Sequence, residues 1–69
     1  MEVKFAKRLK SLRKEKGLMQ SELAKALNTT QRKVSYWETA KIEPDLAMLL
    51  KISNFFEVSL DYLIGKTEY

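Results

Sequence analysis

Large apolar side chains recur along this chain at intervals of three and four residues and never settle into strict alternation with polar ones. That spacing marks helices that bury one face, so it predicts an all-α fold without strands. Phe5, Leu9 and Leu12 stand at i, i+4 and i+7 on one stripe of a first helix, about Val3 to Lys16, with Lys7, Lys10 and Lys14 opposite. Gly17 follows where a left-handed closing residue is wanted, and Leu18 re-enters the core. A second helix, roughly Gln20 to Leu27, turns Leu23, Ala24 and Leu27 inward and ends at Asn28. Thr30 is a sound N-cap for a third, about Gln31 to Thr39. Pro44 and Asp45 open a fourth that continues to about Phe56, with Leu46, Leu49, Leu50, Ser53 and Phe56 as its inward arc. Ser59 caps a short fifth helix, Leu60 to Ile64, and Gly65 closes it.

Sixty-nine residues allow one domain, residues 1–69, with no repeat or flexible linker dividing it. There is no cysteine and no histidine, which removes disulfides and the usual zinc frameworks. It also removes the commonest general base and the best nucleophile. The carboxylates are scattered and no phosphate loop is present, so an enzyme, a metal site or a bound cofactor is not expected. The longest apolar run, Leu46 to Leu50, is far too short to cross a bilayer, and the N-terminus lacks the apolar core of a signal peptide. Absence of cysteine fits a reducing cytoplasm, the expected location.

Charge changes the picture more through its distribution than its size. Residues 1–41 hold eleven Lys/Arg against four Asp/Glu, while residues 42–69 hold two against five. A basic first half and an acidic second half suit one face offered to a polyanion.

That face is found on the third helix. Two short helices separated by Asn28-Thr29 form a tight turn that leaves the second free to protrude. At 100° per residue Val34 and Trp37 point to the core, and Arg32, Ser35, Tyr36 and Thr39 lie opposite, with Gln31 and Lys33 on the flanks. Arginine can give two hydrogen bonds to guanine in the major groove of double-stranded DNA, and glutamine can do so to adenine. Tyrosine can bond a phosphate or base and press its ring on a thymine methyl. The lysines, Lys33 among them, supply sequence-blind phosphate attraction.

Read together, Leu12-Arg13, Gly17-Leu18, Gln20, Glu22-Leu23-Ala24, Leu27, Val34-Ser35, Trp37-Glu38, Lys41, Pro44, Leu46, Leu49-Leu50-Lys51-Ile52, Val58-Ser59-Leu60-Asp61 and Leu63 resemble the lambda-repressor-like, Cro-type helix-turn-helix family. The resemblance spans about Phe5 to Gly65. It implies a compact five-helix DNA-binding domain of a bacterial or phage transcriptional regulator, a repressor before an activator. It also implies that Gln31, Arg32 and Tyr36 read bases, with Thr30 and Ser35 secondary, and that Gln20, Thr39, Lys41 and, less directly, Lys10 hold phosphates. Arg13 and Glu38 match a structural pair joining the first helix to the end of the third. Met19 departs from the family in lacking a polar N-cap group, Asn28, Ala40 and Glu57 stand where glycine is frequent, and Phe55 stands where a small residue is common.

One reading helix covers few base pairs, so a homodimer is expected. Met48, Ile52 and Phe55 fall outside the inward arc assigned to the fourth helix. With Tyr62, Ile64 or Tyr69 they form a candidate exposed patch in the C-terminal half. An antitoxin or other protein-interaction module could use the same fold, and a plain helical bundle would not need the Gln-Arg-Tyr face.

Overall fold

The computed structural model describes residues 3–66, which form five helices: α1 (Val3–Glu15), α2 (Gln20–Ala26), α3 (Gln31–Glu38), α4 (Leu46–Phe56) and α5 (Leu60–Leu63). No strand occurs among the described residues. Each start has a local cause. The side chains of Thr30, Asp45 and Ser59 accept the backbone N–H three residues on, from Lys33, Met48 and Tyr62. Met19 has no side-chain oxygen to offer α2, and only half of a capping box forms there: its own N–H donates to the Glu22 carboxylate at 2.8 Å.

All five helices end alike. The N–H of Leu18, Thr29, Lys41, Val58 and Lys66 reaches back five residues to a helix carbonyl, and the N–H before it reaches back three. This closure requires a left-handed residue between helix and exit. Gly17 and Gly65 fill that role in two cases, but Asn28, Ala40 and Glu57 do so at φ of 58°, 61° and 57°. The positions where glycine was missed are therefore the positions that want it.

Phe5, Leu9, Leu12, Leu23, Ala24, Leu27, Val34, Trp37, Leu49, Ile52, Phe56 and Leu63 make one core. Helices α1, α2 and α3 bury the expected stripes, and α5, for which the spacing predicts no stripe, buries Leu63. The fourth helix does not bury its expected stripe. Its inward side is Leu49, Ile52, Ser53 and Phe56, whereas Leu46 and Leu50 are 64% and 45% exposed. Ile52 is fully buried, and Met48, Phe55, Tyr62 and Ile64 pack partly buried against the core. The expected patch of Met48, Ile52, Phe55, Tyr62 and Ile64 is thus largely internal, and Tyr69 lies outside the described residues. The cause is that α4 is apolar on nearly every side, so two stripes one helical step apart are equally periodic. Ser53 suits the buried stripe because its hydroxyl donates to Leu50 O at 2.9 Å.

Candidate nucleic-acid interface

The interface is built on the α2–α3 corner. Asn28 and Thr29 close α2, and Thr30 opens α3 two residues later. From α4, Lys51 Nζ donates to Leu27 O at 2.8 Å, placing a cation on the carbonyl end of α2 and tying α4 to the corner. A second tie anchors the far end of α3. The buried Glu38 carboxylate accepts from Arg13 Nε at 2.6 Å and from Arg13 Nη2 at 3.1 Å. The Glu38 hydrogen bond holds the Arg13 pKa above its ordinary value, against the opposing pull of burial. This is the expected structural pair, and it fixes the C-terminal end of α3 to α1.

Clamped in this way, α3 turns Val34 and Trp37 inward, 0% and 3% exposed. Thr30, Gln31, Arg32 and Lys33 are exposed, and Ser35 and Tyr36 are half-buried. These six share one short helix and its cap, which projects their polar groups away from the core. Thr39 and Lys41 are exposed just beyond it. Thr39 Oγ1 donates to Ser35 O at 2.9 Å, so its proton is engaged with the helix end and its lone pairs face out. Lys41 Nζ sits 5.8 Å from the centroid of the Tyr36 ring. Gln20 is half-buried and gives one amide hydrogen to Glu38 Oε1 at 3.1 Å, leaving a second hydrogen and its oxygen. Lys10 is exposed on α1.

Beside α3 lies a cleft of about 260 Å³ lined by Thr29, Lys33 and Trp37 together with residues between 42 and 48. Among the described residues, no group of three or more His, Cys, Asp or Glu is placed to hold a metal, and no helix is long and apolar enough to cross a membrane.

A family model described as helix-turn-helix matches residues 9–63, from the middle of α1 to the end of α5. The chain belongs to the Cro-type helix-turn-helix family. Helix-turn-helix relatives include the transcriptional regulator ImmR of Bacillus subtilis (strain 168), 44% identical over 64 residues, which are 93% of this chain and 50% of that protein. The transcriptional activator BcrR of Enterococcus faecalis is 36% identical over 66 residues, 96% of this chain and 32% of that protein. The chain spans about half the length of the curated relatives it matches, or less. Among solved helix-turn-helix structures, a transcriptional regulator from Listeria innocua superposes with a TM-score of 0.85 at 34% identity, covering 94% of this chain and 61% of that one. The P22 c2 repressor, solved with a synthetic operator, gives a TM-score of 0.85 at 28% identity, covering 91% of this chain and 96% of that one.

Proposed function

We propose that this domain binds double-stranded DNA site-specifically as part of a transcriptional regulator, with α3 in the major groove. The observation that carries the reading is the rotation of α3. Its two large apolar residues are buried, and an exposed set of arginine, glutamine and lysine occupies the other side. A helix fits the groove, and these side chains carry the donors that base edges and phosphates accept. Gln31, Arg32 and Tyr36 are assigned to bases, with Ser35 and Thr30 beside them. Lys33, Lys41, Gln20 and Lys10 are assigned to the backbone. Thr39 joins them only if its hydroxyl leaves the Ser35 carbonyl. Repression is the output we adopt, from the likeness to c2, and the bacterial cytoplasm is the compartment.

Selecting bound duplexes from a random pool and titrating the winner against a scrambled duplex tests this. Arg32→Ala should lose about 1–3 kcal/mol of preference for the selected site while binding to the scrambled duplex largely survives. Equal losses on both would remove Arg32 from base reading.

The domain is also assigned to a homodimer, through a face different from the one the residue pattern suggested. Leu46, Ala47 and Leu50 are exposed on α4, and Ile42 is 41% exposed in the loop before it. A two-fold contact sets the same patch of each copy against the other, and a strip of exposed apolar side chains on one helix and the loop before it is complementary to itself.

A further inference from the structure

Gln31, Arg32 and Lys33 stand in solvent, but Tyr36, like Ser35, is half-buried. The turn after the helix folds back towards it. At Ala40 the chain takes φ of 61°, and the Tyr36 carbonyl then accepts from Lys41 N at 2.9 Å and Ile42 N at 3.5 Å. Thr39 Oγ1 adds a longer bond to the same carbonyl at 3.4 Å. The same reversal lays the Lys41 ammonium over the Tyr36 ring, 5.8 Å from its centroid.

We propose that Lys41 is a positioning residue for Tyr36, so that it helps to set base-pair preference as well as gripping phosphate. This rests on the reading of α3 as the base-reading helix. A lysine that met only phosphate would carry no sequence information. Here the cation is attracted to the face of a flat ring that has few rotatable bonds. An ammonium has three donors, so it can keep the ring on one side while turning towards a phosphate on the other. Phosphate, ammonium and phenol then form a stack, and the ring enters the groove from a fixed direction. Thr39 and the strained Ala40 support the stack by fixing the backbone that carries it.

The experiment uses the duplex selected by the wild-type protein and its single-base-pair variants. Tyr36→Ala comes first and identifies the position whose preference it relaxes. Lys41→Ala should then weaken every duplex and also lower the preference at that position about two- to five-fold. That is the change given by a contact of about 0.5–1 kcal/mol at about 1.4 kcal/mol per decade. The preference at the Arg32 position should not move. Lys41→Arg, which keeps the cation and the ring contact, should restore discrimination, and Lys41→Ala in the Tyr36→Ala background should change affinity alone. A uniform loss across all duplexes for Lys41→Ala would overturn the proposal. If Tyr36→Ala relaxes no position, the base-reading role of Tyr36 fails, and this is seen before any lysine variant is made. Lys41 is exposed, so its variants should keep the helical circular dichroism and melting profile of the parent; a lost fold on Lys41→Ala would assign the residue to stability instead.

Discussion

Ala40 and Glu57 hold backbone angles that cost a residue with a Cβ about 1–2 kcal/mol and cost glycine almost nothing. Ala40→Gly and Glu57→Gly should each raise stability by about 0.5–1 kcal/mol, the relief less the extra freedom glycine gives the unfolded chain. Urea midpoints at unchanged slope would show it, and a fall in both midpoints would mean that the neighbouring packing, not the backbone, decides. That glycine is frequent at these two positions was legible from the family resemblance; that the backbone there is left-handed is seen only in the closure itself. The state of Thr39 was not legible either. A hydroxyl at a helix end can donate to its own carbonyls or to a ligand, and only coordinates show that it donates to Ser35.

At the scale of elements, the corner stands on the Arg13–Glu38 pair. Removing one partner leaves a buried, uncompensated charge, so Glu38→Ala should cost about 3–5 kcal/mol and also release Gln20. Thermal unfolding should detect the loss. The raised Arg13 pKa means that its share of the pair is present at low and neutral pH and is lost only as strong alkali deprotonates it in the folded state. The chain has no histidine, so the difference between parent and variant should stay constant from about pH 6 to 9. A difference that shrank across that window would point to another titrating partner. Helices α1, α2 and α3 could be read from their spacing, since each has a polar side that fixes its phase, whereas the four residues of α5 are too few to show one. For α4 the element was legible but its phase was not. Leu46, Leu49, Leu50 and Ile52 are equally apolar, and only packing against the other helices selects Leu49 and Ile52.

The whole molecule measures 28 × 23 × 20 Å, and nine of its thirteen basic residues lie on α1, α2 and α3, six of them on α1. Fold class and the inward rotation of Val34 and Trp37 followed from periodicity, while the proposed partner face moved with the phase of α4. Leu46→Lys with Leu50→Lys should leave the monomer folded, because both side chains are exposed. It should abolish self-association in sedimentation velocity over a concentration series, and unchanged dimerisation would exclude this strip. The bond from Lys51 to the Leu27 carbonyl gives the strip a second significance. It makes α4 a strut between the surface where a second copy would sit and the hinge from which the reading helix hangs. Two half-sites would then be gripped by a stiff caliper. Inserting one base pair between them, a rotation of about 35° at roughly 10.5 base pairs per turn, should cost most of the gain from pairing.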